Sequence, residues 1–234
     1  MNNQKGHIHP INQVVDDIVK IFTEMGFEIA LGNEIETEYY NFDALNVPKD
    51  HPARDMQDTF WLKNGPGNLL RTHTSGVQIH YMENHKPPIK IIAPGKVYRY
   101  EATDRTHEVQ FHQIEGLLVA EGVNLGHLKF VLNEFLRKMY GPDIKTRFRP
   151  SFFPFVEPGI EVDIWQETAS GGKWLEVLGA GMVHPNVLSG AGINPNKYSG
   201  FAFGLGLDRL ALIKFGIDDI RLLYNGDIRL VNQF

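Results

Sequence analysis

The feature that most limits how this chain folds is the density of short strand-like segments between Thr59 and Gly204, several separated by tight turns. Thr59–Leu62, Leu69–Thr72, Ile89–Ala93, Lys96–Glu101, Gln110–Glu121, Ile160–Gln166, Trp174–Leu178 and Gly200–Gly204 all read as strand. Turns such as Pro94-Gly95 and Gly171-Gly172 favour antiparallel pairing of neighbours. Three stretches carry a helical period instead. From Pro10 to Gly26, the residues Ile11, Val14, Val15, Ile18, Phe22 and Met25 recur at helical spacing between a proline start and a glycine stop. From about Leu125 to Tyr140, Leu128, Val131, Leu132, Phe135 and Met139 share one face ahead of Gly141-Pro142, and a third helix follows Gly206 to Phe215. Phe27–Leu31 reads as a further strand and Tyr39–Met56 as a long irregular connection. The expectation is an α+β fold, an antiparallel sheet flanked by helices, in one domain over residues 1–234.

Composition removes several function classes. With 234 residues, 42% hydrophobic and 22% charged, the chain is globular rather than disordered. Its 23 basic and 28 acidic residues leave a net charge of −5, so it does not hold nucleic acid by phosphate neutralisation alone. The absence of cysteine excludes a disulfide framework, a thiolate zinc site and a thiol nucleophile. No apolar run approaches the ~18 residues of a membrane span, and Met-Asn-Asn-Gln-Lys-Gly is no signal peptide. A soluble cytoplasmic chain is the expectation.

The chemistry sits on polar residues inside strands. Residues two apart on a strand share a face, about 6.6 Å apart, so Arg99 and Glu101 point one way and Tyr98 and Tyr100 the other. The same rule puts Phe111, Gln113 and Glu115 on one face of the next strand. With Ala102 to Gln110 as a long hairpin loop, a guanidinium, two carboxylates, an amide and an aromatic reach a common surface; the competing reading is an exposed face laced with ion pairs. Gly204-Leu205-Gly206-Leu207-Asp208-Arg209 fails the dinucleotide pattern, because Arg209 takes the third glycine's place, but an arginine beside a helix N-terminus suits a polyphosphate. Phe153 and Phe155 flank a proline and read as core or as an aromatic pocket. His7 and His9, or His107 and His112, have no metal-ligand framework, and no Gly-x-Ser-x-Gly elbow suggests a hydrolase.

Taken in order, these pieces resemble the catalytic core of the class II aminoacyl-tRNA synthetases, and among them the α subunits of the bacterial-type phenylalanyl-tRNA synthetases. The resemblance runs through His9-Pro10-Ile11, Asn41-Phe42-Asp43-Ala44-Leu45-Asn46, His51-Pro52-Ala53-Arg54-Asp55 and Arg71-Thr72-His73-Thr74-Ser75. It continues through the motif 2 segment Arg99 to Glu115, Phe153-Pro154-Phe155, Gly179-Ala180-Gly181-Met182-Val183-His184-Pro185 and motif 3 at Gly204 to Arg209. It covers nearly the whole chain.

The resemblance implies an antiparallel sheet that binds ATP in a bent form and joins L-phenylalanine to the 3′ end of tRNA-Phe. Arg99, Glu101 and Arg209 are then the catalytic residues, with Arg99 on the α-phosphate and carboxylate and Arg209 on the γ-phosphate. Phe111 stacks on adenine, while His107 and Glu108 belong to a loop over ATP. His73, Ser75, Gln78, Glu101, Gln113 and Glu115 hold the polar end of the amino acid, Phe153 and Phe155 meet its ring, and Ala202 floors the pocket. Glu176 is implied as the ligand of the Mg2+ on ATP and Glu157 as a Mg2+ ligand bordering the β subunit of an α2β2 heterotetramer. The sequence starts just ahead of motif 1, without the long helical arm of the family's α subunits, so the further expectation is that this chain alone charges tRNA poorly. Two alternatives stand beside this reading: a non-catalytic paralogue, and an enzyme that passes its adenylate to something other than tRNA.

Overall fold

The computed structural model describes residues 6–50, 59–63, 65, 67–167 and 171–234. Helix α1, Pro10–Glu24, begins where Pro10 presets the first turn and His9 Nδ1 accepts from the Ile11 amide at 3.2 Å. It stops at Gly26, whose φ of +83° an L side chain resists. Ile11, Val14, Ile18, Ile21 and Phe22 are its buried stripe, and Val15 and Met25 lie at the edge. Strand β1 is Glu28–Ile29, shorter than expected; β2, Ile35–Thr37, pairs with β3, Asn68–Leu70, in a small separate ladder. Between them, Tyr39–Met56 is not wholly irregular, since α2 spans Glu38–Asn41 and a 3-10 turn spans Asp43–Leu45. His51-Pro52-Ala53-Arg54-Asp55 lies outside the described residues. Thr59–Leu62 reduces to one bridge at Trp61, opposite Leu69.

The main sheet follows with β4 (Ile89–Tyr98), β5 (Gln110–Ala120), β6 (Thr146–Phe153), β7 (Val156–Gln166), β8 (Lys173–Val183) and β9 (Ser199–Gly206). The strand order is β1-β4-β5-β9-β8-β7-β6, antiparallel throughout except for the parallel β1–β4 pair at one edge. Helix α3 (Ser75–Asn84) precedes β4, α4 (Leu125–Tyr140) follows β5, α5 (Pro185–Gly190) follows β8, and α6 (Leu207–Phe215) follows β9; α7 is the short Ile228–Val231. The α4 boundaries agree with the sequence reading, set by a capping box at Asn124 and by Gly141 at φ +101°.

One expectation is corrected, and two further elements emerge. Pro94-Gly95 is not a turn: both residues lie inside β4, opposite Ile114 and Gln113. Pro94 is tolerated there because β1 pairs only as far as Ile92, which leaves that side of β4 with no ladder partner for the missing N–H. Gly95 is needed because a Cβ would stand 2.1 Å from the Arg71 guanidinium. Strand β6 and helix α3 escaped the sequence reading. The first carries arginines and Pro150 on the outer edge strand, and the second is buried around most of its circumference and so shows no amphipathic stripe.

The pleat separates two faces. On one, Ile92, Ile114, Phe201, Phe203, Leu205, Leu178, Ala180, Ile160, Val162 and Ile164 pack against α1, α4 and α6. On the other, Ile91, Ala93, Leu117 and Val119 bury part of their surface under α3 and the Phe42–Val47 segment. The rest of that second face is left to glycines and polar residues. Among the described residues, no helix is long and apolar enough to cross a membrane.

Candidate active site

Small residues open this second face. Glu115 lies opposite Gly204, Gly204 opposite Gly179, and Gly181 opposite Ala202. A Cβ at Gly204 would stand 3.1 Å from Glu115 Cγ, and one at Gly179 would stand 2.8 Å from the Phe153 ring. Side chains from neighbouring elements therefore fold over a low floor.

Glu115 is 6% exposed and is met from α3 and the segment before it. It accepts from Ser75 Oγ at 2.5 Å, Gln78 Nε2 at 2.9 Å and the Thr74 amide at 3.3 Å. Burial pushes its carboxyl up to about 7, against the pull of Ser75, Thr74, Arg99 and Arg71. The 71–74 segment is held by Asn41, itself buried, which donates to Thr72 Oγ1 at 3.0 Å and accepts from the Thr72 amide at 3.1 Å. His73 Nε2 donates to the Asn41 carbonyl at 3.0 Å. Burial, then Arg99, pushes His73 down to about 3, so the ring is neutral and its Nδ1 is an acceptor. Nδ1 of His73, Oγ1 of Thr74 and Oε1 of Gln113 are all buried without a hydrogen-bond partner among the described residues.

Arg99 follows the last residue of β4 rather than lying within the strand, and its Nε donates to the Thr72 carbonyl at 3.2 Å. Its guanidinium carbon stands 5.1 Å from the centre of the Phe111 ring, a cation–π arrangement. Burial lowers its pKa, and Glu101 and then Glu115 oppose the shift. Tyr98 points away, donating to Glu34, and Tyr100 is exposed. In the connecting loop, Asp104 accepts from the amides of Thr106 at 2.6 Å and His107 at 2.8 Å, and from His107 Nδ1 at 3.0 Å. His107 is exposed and Glu108 half-buried.

Arg209 lies in the first turn of α6, and its Nη1 donates to the Glu176 carbonyl at 3.1 Å. Burial, then Glu161, raises the Glu176 carboxyl, while Arg209 and Arg149 draw it down. Beside it, Asp163 accepts from Arg147 Nε at 2.8 Å and from Arg149 Nε at 2.7 Å, and Arg149 also meets Glu161 at 2.7 Å. At the far end of the β7–β8 ladder, the Phe153 and Phe155 rings are stacked at 5.9 Å with 24° between planes. Phe155 and Ala202 pack together with the second core cluster. Glu157 is exposed on a cleft of about 530 Å3, 3.4 Å from His184 Nε2. Glu157 and Glu176 thus belong to separate places, and among the described residues no group of three or more His, Asp or Glu side chains is arranged to hold a metal ion.

The structure therefore gathers His73, Ser75, Gln78 and Glu115 into one buried cluster, with Gln113 on the same strand face and Arg99, Glu101 and Phe111 adjoining. Sequence reasoning gave no role to Asn41, Thr72 and Thr74, or to the Arg147–Arg149–Asp163 cluster. The Arg-x-Arg alternation facing Glu-x-Asp was the signal available for the last.

The model of the tRNA synthetases class II core domain (F) matches residues 1–234. The chain is 56% identical over 238 residues to the phenylalanine–tRNA ligase alpha subunit of Caldanaerobacter subterraneus subsp. tengcongensis, covering 98% of this chain and 69% of that protein. Proteins of the same name from Xanthomonas euvesicatoria pv. vesicatoria and Dehalococcoides mccartyi are 53% and 52% identical, covering 99% and 98% of this chain and 70% of each relative. A seven-stranded sheet with a buried polar cluster, together with these likenesses, places the chain in the class II aminoacyl-tRNA synthetases, in the ligase family of phenylalanine–tRNA ligase alpha subunits.

Proposed function

We propose that this chain activates L-phenylalanine with ATP to phenylalanyl-adenylate and transfers the acyl group to tRNA-Phe, as the catalytic α subunit of an assembly with a β subunit. The observation that carries this reading is a set of buried acceptors with no partner among the described residues. They include His73 Nδ1, next in sequence to the Thr74 amide that Glu115 accepts from, and Gln113 Oε1, on the strand face of Glu115; each unpaired buried acceptor costs about 1–3 kcal/mol. An amino acid's ammonium carries three donors and a positive charge, which is what such a pocket lacks. Its ring is then taken by Phe153 and Phe155 over Ala202 and Gly179.

The remaining groups fit the nucleotide. Arg99, held by the Thr72 carbonyl, is the guanidinium for the substrate carboxylate and α-phosphate, and Phe111 offers its face to adenine. Arg209, at a helix N-terminus, serves the γ-phosphate, with His107 and Glu108 above. In the reaction a carboxylate oxygen of phenylalanine attacks the α-phosphorus in line, the bond to the bridging oxygen breaks and pyrophosphate leaves. A ribose hydroxyl of the tRNA then attacks the acyl carbon and AMP leaves. With His73 neutral and no cysteine in the chain, the protein's part is positioning and charge neutralisation. Mg2+ bound with ATP supplies further neutralisation of the phosphates. The Glu176 carboxylate, 3.6 Å from Arg149, is a hard oxygen donor of the kind such an ion takes alongside phosphate oxygens, and exposed Glu157 is the corresponding candidate at the β-subunit border.

The test is phenylalanine-dependent ATP–pyrophosphate exchange by the enzyme assembled with its partner subunit. Arg99→Ala is expected to slow exchange by ~10²–10³ without unfolding the chain. Exchange at the parental rate refutes the assignment.

A further inference from the structure

One buried acidic group has no part in the mechanism above. Asp208 sits in the first turn of α6, next to Arg209, and is 2% exposed. Its Oδ2 accepts from the His112 amide at 2.6 Å, and its Oδ1 accepts from the Tyr224 hydroxyl. The Tyr224 oxygen also lies 3.0 Å from His112 Nδ1, which closes a three-residue ring of hydrogen bonds. His112 lies between Phe111 and Gln113 on β5, so the carboxylate joins the strand holding the adenine-facing ring to the helix that begins with Arg209. The third member comes from the C-terminal end, where Tyr224 follows a 3-10 turn, Ile220–Leu223. The same turn holds the loop after β4, since the Ile220 amide donates to the Arg105 carbonyl at 3.0 Å.

We propose that Asp208, completed by Tyr224, is a positioning residue for the nucleotide: it sets the distance between Phe111 and Arg209 by bridging β5 to α6. This rests on the reading of Phe111 and Arg209 as nucleotide-binding groups. Burial pushes the Asp208 carboxyl up to about 6, and the amide of its own helix turn and the two other donors oppose that shift, so at pH 8 it is an anion held by fixed donors. Burial, followed by Lys96 and His9, pushes His112 down to about 4, so its ring is neutral and fits an Nδ1–H donating to the Tyr224 oxygen. None of the bridge's hydrogen bonds is made with Phe153, Phe155 or Glu115, so its loss falls more heavily on ATP than on phenylalanine.

The experiment measures KM in pyrophosphate exchange and ATP Kd by calorimetry, at pH 8, on the enzyme assembled with its partner subunit. Asp208→Ala is expected to raise ATP KM and Kd about tenfold or more while phenylalanine KM stays within about twofold, the scale of losing hydrogen bonds to a charged group. Asp208→Asn is expected to restore ATP KM to within about threefold, because an amide oxygen still accepts from the His112 amide and its NH2 donates to Tyr224. Should Asp208→Ala not fold, Tyr224→Phe carries the test, with an expected rise of about threefold in ATP KM alone. Unchanged ATP binding in the folded variants, equal losses for both substrates, or failure of asparagine to rescue overturns the proposal. Phe111→Ala and Arg209→Ala run beside them. If neither of those weakens ATP binding, it is the underlying assignment that fails; if they do and Asp208→Ala and Tyr224→Phe do not, only the bridge is refuted.

Discussion

Replacing Glu115 by glutamine should leave the chain about as stable in mild acid and make it more stable in mild base. The carboxyl is buried and its pKa is raised from an ordinary 4.5 to about 7, with desolvation the leading cause. A raised folded-state value means that the folded protein holds the proton more tightly than the unfolded chain. The associated stability is complete below pH 4.5 and lost as the pH rises through 7. At about 1.4 kcal/mol per pH unit this totals about 3 kcal/mol, of which about 2–3 kcal/mol disappears between pH 5 and pH 8. Glutamine does not titrate. At pH 5 the folded carboxyl is neutral but the unfolded one is already mostly ionised, which removes about 1 kcal/mol from the parent and offsets the about 1 kcal/mol that glutamine suffers from turning its NH2 towards either the Thr74 amide or the Gln78 side chain. At pH 8 the variant escapes the ionisation cost and should be the more stable by about 1–2 kcal/mol. Paired urea titrations at the two pH values read the difference, and other titrating groups cancel because both proteins share them. A difference that stays constant between the two pH values within about 0.5 kcal/mol refutes the account of a buried, titrating Glu115. In the same variant, phenylalanine KM should rise with ATP KM unchanged, because the charge facing the ammonium is gone.

Ala202→Gly should admit para-chlorophenylalanine in pyrophosphate exchange, since it deepens the pocket beside Phe155 by about one methyl, an effect of roughly tenfold in discrimination; unchanged discrimination removes Ala202 from the pocket floor. Gly179→Ala should lower kcat/KM for phenylalanine without altering ATP KM, because its methyl group would stand 2.8 Å from the Phe153 ring and push that ring into the pocket. Glu157→Ala should weaken association with the β subunit and abolish the sensitivity of that association to chelators, measured by analytical ultracentrifugation. Chelator sensitivity that persists in the variant places the metal elsewhere.

The periodic elements were legible in the sequence because their physics is local. Helix α4 was readable from one apolar stripe ahead of a stopping Gly141-Pro142, and the face shared by Phe111, Gln113 and Glu115 from the two-residue repeat of a strand. Elements that violate those local rules escaped. Helix α3 has no stripe because the fold buries it on most sides, and Pro94-Gly95 imitates a turn although β1 ends where the proline needs a free edge. The motif residues could be named from the sequence, but not what surrounds each of them. That Glu115 is met by Ser75 and Gln78 from forty residues away, that His73 is kept neutral by burial beside Arg99, and that Asp208 is closed off by Tyr224 all depend on chain segments brought together by the sheet. Sequence by itself determined which groups exist and which strand face they share, because side-chain chemistry and backbone period are properties of neighbouring residues. Only the tertiary structure decided their protonation and their partners, because desolvation and hydrogen bonding depend on what distant segments place within about 3 Å.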